Sequence, residues 1–247
     1  MRADPAAQLR LLDLQALDTK LGQLSYRRAS VPQIVELAGL DQQAAQLRDR
    51  EVALRTAVSD LEREQARAEA DVEQVRQRIA RDQALLDAGS VSSARQLGDL
   101  QHEIASLRTR VATLEDAELE VMERLEETQE RAAAAAAEMH ELSQARGAAE
   151  AARDAAFADV DAEADRVGAE RARVLPDIPE DLLTLYDRIR SGAGGIGAAA
   201  LHRGRCQGCQ LTLTPADLGR IRGEAADEVV RCEECRRILV RTPESGL

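Results

Sequence analysis

Leu37-Ala-Gly-Leu40-Asp-Gln-Gln-Ala44-Ala-Gln-Leu47-Arg-Asp-Arg-Glu51-Val-Ala-Leu54-Arg-Thr-Ala-Val58-Ser-Asp-Leu61 is the stretch that decides the fold. Its apolar residues fall alternately three and four apart, the spacing that turns one seam of a helix toward a partner helix. The rhythm continues through Ala68, Val72, Val75, Ile79 and Leu86, with Glu51, Gln65 and Asp82 as polar lapses. A helix over 33–87 is predicted, roughly 80 Å long at about 1.5 Å per residue.

Working outward, Gly89-Ser90 breaks the pattern. Ser93-Ala-Arg-Gln96 has the form of a capping box, so a further helix is predicted over 93–174. Leu97, Leu100, Ile104, Leu107, Val111, Leu114, Val121, Leu125, Met139 and Leu142 give its seam. After the alanine run 132–137 the stripe thins, and Ala156, Val160, Val167 and Val174 carry it on. Alanine is the best helix former, and its small side chain lets a partner helix approach. Upstream, Leu9, Leu12, Leu14, Leu17, Leu21 and Leu24 mark a first helix over 6–29, with a break near Ala29–Val31 before Pro32. Two long heptad helices joined by a short loop make an antiparallel hairpin. The first helix is expected to join its base or to extend the pairing. Heptads alone leave dimerisation between chains equally open.

Composition agrees. Aromatic residues are 1% and charged residues 32% of 247, too few large apolar side chains for one big globular core. The net charge of −12 argues against a chain that binds nucleic acid over its whole surface. No apolar run is long enough to span a membrane, and the start lacks the apolar core of a signal peptide. A cytoplasmic location is expected, which suits four reduced cysteines. Lys20 is the only lysine, and the Arg- and Ala-rich bias suggests a GC-rich bacterial genome.

The remaining chemistry sits at the other end. Cys206-Gln-Gly-Cys209 and Cys232-Glu-Glu-Cys235 hold all four cysteines in two C-x-x-C pairs separated by 22 residues. Two such turns close a tetrahedron of thiolates and leave no open position for water. One structural Zn²⁺ is expected, standing in for the core that so short a segment lacks. His202 lies near the first pair but is surplus to a complete set of four thiolates. The predicted organisation is a rod over 1–175, a neck helix with a Gly-rich linker over 176–200, and a zinc ribbon over 201–247. In the neck, Leu182, Leu183, Tyr186 and Ile189 share one face of a helix over about 179–190, with Tyr186 a core residue. Ser191–Gly197 reads as a flexible hinge, and Ala198–His202 as an edge strand. In the ribbon, Thr214 caps a short helix over about 215–222. Glu228–Cys232 and Arg236–Arg241 read as two strands joined by the second cysteine turn.

The ribbon segment 202–247 carries eight arginines against seven acids, so it is not a basic domain. Arg203, Arg205, Arg236, Arg237 and Arg241 are the candidate contacts to nucleic acid or to a protein partner. No aromatic residue accompanies them to stack on bases. The three histidines are scattered, and no nucleophile motif or phosphate loop is present. The expected function is a non-enzymatic scaffold or adaptor with a protein partner, and no membrane or small-molecule substrate. The second reading is a nucleic-acid-binding regulator acting through the ribbon.

The order of these motifs resembles a bacterial family of four-cysteine zinc-ribbon proteins with a long N-terminal coiled-coil hairpin. The marks are Leu97-x-x-Leu100-Gln101-His102-Glu103-Ile104, Leu182-Leu183-x-x-Tyr186-x-x-Ile189-Arg190, Cys206-x-Gly208-Cys209, and Cys232-x-x-Cys235-x-x-Ile238-Leu239. The resemblance covers nearly the whole chain. Ser93 stands where the family often has Asn, and Arg236 where Gly often follows the last cysteine. The resemblance implies a mainly α, non-enzymatic protein with zinc on the four cysteines. Members have been linked to flagellar or type III secretion factors as chaperone-like adaptors, and one type to RNA and sigma-factor binding. In a non-flagellated actinobacterium, a source the composition hints at, the flagellar role would not carry over. The partner is not carried over.

Overall fold

The structure, a computed structural model, describes residues 1–91 and 93–247. They form helices α1 (Pro5–Ala29), α2 (Pro32–Asp87), α3 (Ala94–Val174), α4 (Glu180–Gly192) and α5 (Pro215–Gly223). Strands are β1 (Ala198–His202), β2 (Arg205–Cys206) and β3 (Ile238–Arg241). The chain divides into two compact units, Glu36–Ala149 and Met1–Val35 with Glu150–Leu247.

The first unit is the expected antiparallel hairpin of α2 and α3. Its register is written in ion pairs whose α3 partners fall as α2 numbers rise: Asp41 with Arg146, Arg50 with Glu138, Glu64 with Arg124, and Arg76 with Glu115. All are exposed, so each adds little, and the seam does most of the holding. Leu47 and Leu54 pack with Ala135, Met139 and Leu142, so the alanine run lies where α3 meets α2. Leu61 meets Val121 and Leu125. Near the turn, Val75, Ile79, Leu86, Leu100 and Leu107 are only half-buried, and Leu97 is exposed. There Asp82, one of the polar lapses, holds a buried Oδ2 with no hydrogen-bond partner; Arg78 Nε is 3.9 Å away.

In the second unit α1 lies antiparallel to the last part of α3, so it extends the pairing. Leu24 packs on Val160 and Val167, and Lys20 pairs with Glu163 and Arg28 with Asp161. Asp4 caps α1 by accepting from the Ala6 amide at 2.7 Å, with Pro5 in the first turn. The buried face of α1 differs from the expected leucine stripe. Leu9 is 42% exposed, while Leu11 and Leu14 are fully buried beside Gln8, Gln15 and Asp18. Counting leucines found Leu14 and Leu24 but missed Gln8, Gln15 and Asp18, because those three buried positions are polar.

The neck helix α4 joins α1 to the ribbon. Leu182, Tyr186 and Ile189 share a core with Ala7, Leu11 and Leu14 of α1 and with Ala198, Ile238 and Val240 of β1 and β3. Fully burying a leucine contributes about 1.5–3 kcal/mol, so this cluster is the main fastening of α1 to the ribbon.

The three-stranded sheet runs β2-β1-β3. β1 is therefore central and not an edge strand. It pairs antiparallel with β2 through the turn Arg203–Gly204, where both residues have positive φ. It pairs parallel with β3, Ala198 opposite Ile238 through Leu201 opposite Arg241. The expected strand over Glu228–Cys232 reduces to bridges. Val229 N donates to Met1 O and Ala3 N to Asp227 O, so the N-terminal residues occupy its first half. Its second half keeps the expected pairing, with Arg231 bridging Ile238, Leu239 N donating to Val230 O and Cys232 N to Arg237 O.

Ser191–Gly197, expected to be a hinge, is tied on both sides. Ser191 and Gly192 complete α4, and Gly194 and Gly195 turn with positive φ. The carbonyls of Ala193 and Ile196 accept from Arg237, and that of Gly195 from Gln15. Gly197 lies flat on Tyr186, where an added Cβ would stand 2.7 Å from the ring. Close approach, and not mobility, is what glycine supplies there.

Candidate metal centre

The four sulfurs lie within 4.8 Å of one another, and Cys206–Cys235 and Cys209–Cys232 are each 3.9 Å apart. Disulfides would need about 2.05 Å. A tetrahedron with metal–sulfur arms of about 2.3 Å puts its corners about 3.8 Å apart. The set therefore fits one tetrahedral thiolate-loving cation, and it is the only cluster of metal-ligating side chains among the described residues.

Each pair sits on the same local fold. In the first knuckle Cys206 N donates to Leu211 O at 3.0 Å, and Gln210 N to Cys206 O at 2.9 Å. In the second, Cys232 N donates to Arg237 O at 3.0 Å, and Arg236 N to Cys232 O at 2.9 Å. The residue after each second cysteine, Gln210 or Arg236, has positive φ, 63° and 61°. The reading of Arg236 at a glycine-favouring position thus holds geometrically, and Gln210 shares it. The amides of Gly208 and Cys209 point at the Cys206 sulfur, and those of Glu234 and Cys235 at Cys232.

Without a cation the site is electrostatically unfinished. Burial pushes the Cys206 thiol up to about 12, against the lowering by its amide donors, and neighbouring Cys232 and Cys235 push it further. Burial also raises Cys232. Cys235 goes down: burial acts to raise it, but the Arg237 amide and the surrounding thiols outweigh that. Thiolates this close repel one another, and a dication removes the conflict.

The five arginines singled out by the sequence have unlike roles. Arg241 donates to the carbonyls of Glu224, Ala225, Ala226 and Glu228, fastening the loop after α5. Arg237 donates to Gly208, Ala193 and Ile196, linking the first knuckle to the neck. Arg205 donates from Nε to Gln210 O. Arg203 is exposed at the β1–β2 turn, and Arg236 is exposed beside Glu233.

A second polar centre, missed by sequence reasoning, lies in the neck. Asp18 of α1, with its side chain 1% exposed, accepts from Tyr186 Oη at 2.7 Å and pairs with Arg171 Nε at 2.7 Å. Arg190 Nε stands 3.4 Å from the same carboxylate. Gln15 Oε1 accepts from Gly197 N at 2.7 Å. The Tyr186 phenol is pushed well above its ordinary range, first by burial and then by its bond to Asp18. The available signal was Gln15 and Asp18 on the same stripe as Leu11 and Leu14, three residues apart.

A two-helix coiled-coil hairpin followed by a closed four-thiol ribbon defines the class of protein. The chain belongs to the family of the CT398-like coiled coil hairpin domain, whose model matches residues 14–194; that of the C4-type zinc ribbon domain matches 205–239. An uncharacterized protein of Mycobacterium tuberculosis is 39% identical over 241 residues, 98% of each chain. A solved structure from Mycobacterium smegmatis is 34% identical and superimposes with a TM-score of 0.85 over 98% of this chain and 100% of the other. CT398 of Chlamydia trachomatis shares the fold at 18% identity, with a TM-score of 0.72 over 96% and 98%.

Proposed function

We propose that the protein is a non-enzymatic scaffold or adaptor that holds one structural Zn²⁺ on Cys206, Cys209, Cys232 and Cys235 and binds a protein partner along its hairpin. The closed four-thiol set carries this reading: four soft ligands saturate zinc and leave no coordination position for a substrate. The hairpin supplies the surface. Beside its seam, Leu40, Leu47 and Leu142 floor an open groove rimmed by Gln43, Gln46, Arg50, Glu138 and Glu141. Nucleic-acid binding through the ribbon is the weaker reading, because Arg237 and Arg241 spend their donors on backbone carbonyls. Among the described residues no helix is long and apolar enough to cross a membrane.

Metal analysis of protein purified without chelator is expected to give about one zinc per chain. Affinity capture from native cells then compares the wild type with an Arg50→Glu/Glu138→Arg exchange, which keeps that ion pair but changes the groove rim. A protein captured by the first and lost by the second supports the reading. Capture of nucleic acid alone, with affinity falling steeply as salt rises, overturns it.

A further inference from the structure

The two knuckles match beyond their cysteines. Each cysteine pair is preceded by an arginine, Arg205-Cys206 and Arg231-Cys232. Arg231 Nε donates to Arg236 O at 2.8 Å, and Arg205 Nε makes the same bond to Gln210 O. In both cases the acceptor belongs to the positive-φ residue that follows the second cysteine. Each arginine also forms the bridge that closes its loop, Arg205 to Thr212 and Arg231 to Ile238. The same side chain, atom, acceptor position and backbone closure thus recur on both sides of one tetrahedron, while the intervening residues differ.

This repetition has a physical reading. A non-glycine residue resists positive φ, and here two such residues must hold it for the amides of Gly208, Cys209, Glu234 and Cys235 to face sulfur. A planar guanidinium bound to the carbonyl of that residue fixes the strained peptide from outside the loop. Solvated arginines would show no common acceptor. Arg237 and Arg241, by contrast, reach unrelated carbonyls.

We infer that Arg205 and Arg231 are a matched pair of positioning residues for the metal centre, each locking the turn that presents one cysteine pair and so slowing release of the ion. This rests on the reading of the four thiols as a metal site.

The test uses the full-length chain loaded with zinc, a competing chelator and a chromophoric metal indicator. Arg205→Met and Arg231→Met keep the apolar stem and remove the donor; Arg222→Met, on exposed α5, is the control. Each of the first two is expected to release zinc about tenfold faster, the low end for groups supporting metal ligands because both guanidiniums are exposed. The double variant should exceed either, and the control should match wild type. Cobalt(II)-loaded protein supplies a readout that a merely structural role would not move: its thiolate charge-transfer and d–d bands should shift in the two variants at a temperature where circular dichroism is unchanged. Release rates and spectra equal to wild type overturn the proposal. Where a methionine variant fails to fold, Arg→Leu replaces it and likewise removes the donor; faster release supports the proposal and unchanged release overturns it. A wild-type chain that purifies without metal refutes the metal reading itself, whereas loaded wild type with unaltered variants refutes only this inference.

Discussion

Replacing Tyr186 by phenylalanine tests how α1 is fastened to the rest of its unit. The ring and its packing under Leu11, Leu14 and Gly197 stay; only the hydroxyl goes. That hydroxyl donates at 2.7 Å to a carboxylate oxygen of Asp18, and both groups are buried. A hydrogen bond to a charged group contributes about 1.5–3 kcal/mol. Asp18 still keeps Arg171 at 2.7 Å, so no charge is stranded and the cost stays within that range. Asp18→Asn does more, because Arg171 and Arg190 lose their anion. Breaking a buried pair costs about 3–5 kcal/mol, and the partial exposure of both guanidiniums places this case near the lower end. Urea titrations of the metal-loaded chain, followed by far-UV circular dichroism, give the four corners of a double-mutant cycle. Tyr186→Phe should lose about 2 kcal/mol, or roughly 4–8 °C in melting temperature. The double variant should lose about 1–2 kcal/mol less than the sum of the singles. A Tyr186→Phe protein melting within about 1 °C of wild type, or strictly additive losses, would refute the account.

Three further expectations follow from single features. Because the Tyr186 phenol is raised in the fold, its contribution is complete below about pH 10, where the unfolded phenol titrates, and fades as pH climbs above that value. Phenolate absorbance should show Tyr186 ionising only with loss of helix; ionisation in the intact fold would contradict this. Arg236→Gly removes a side chain from φ 61° and keeps the carbonyl that Arg231 holds. The exposed Arg236–Glu233 pair is a small loss, so a net gain of about 0.5–1 kcal/mol is expected in thermal melts. Asp82→Leu replaces a buried, unbonded carboxylate oxygen in the hairpin seam and should stabilise that unit by about 1–2 kcal/mol in urea, with unchanged or lower stability counting against it.

The helices were legible because each is announced by chemistry that acts locally. Pro32 and the Thr214 cap mark starts, and heptads mark seams; Thr214 Oγ1 does accept from Asp217 N at 3.1 Å. The cysteines were legible because thiolate chemistry is indifferent to its surroundings in sequence. In the ribbon the expected strands Ala198–His202 and Arg236–Arg241 were legible, but their pairing was not. β1 and β3 pair in parallel across the two knuckles, and strands of five and four residues carry too little alternation to show that. The Asp18 centre was invisible for another reason. A buried carboxylate is tolerable only through Arg171, Arg190 and Tyr186, all more than 150 positions away, and nothing near Asp18 reports them. Gly197 failed similarly: a Gly-rich stretch suggests freedom, but Tyr186 and Gln15 use it for contact.

The separation of Gln15 from Gly197, 182 positions, also sets an order of assembly. At about 5–20 residues per second, a ribosome needs roughly 10–35 s to make the chain between them. For most of that interval α1 has been synthesised with its carboxylate and its leucine face but without Arg171, Leu182, Tyr186 and Ile189, which cover them. The hairpin over 36–149 is complete earlier and needs nothing later. The nascent chain therefore carries a finished coiled coil while α1 still waits for Arg171, Leu182, Tyr186 and Ile189 to close over it.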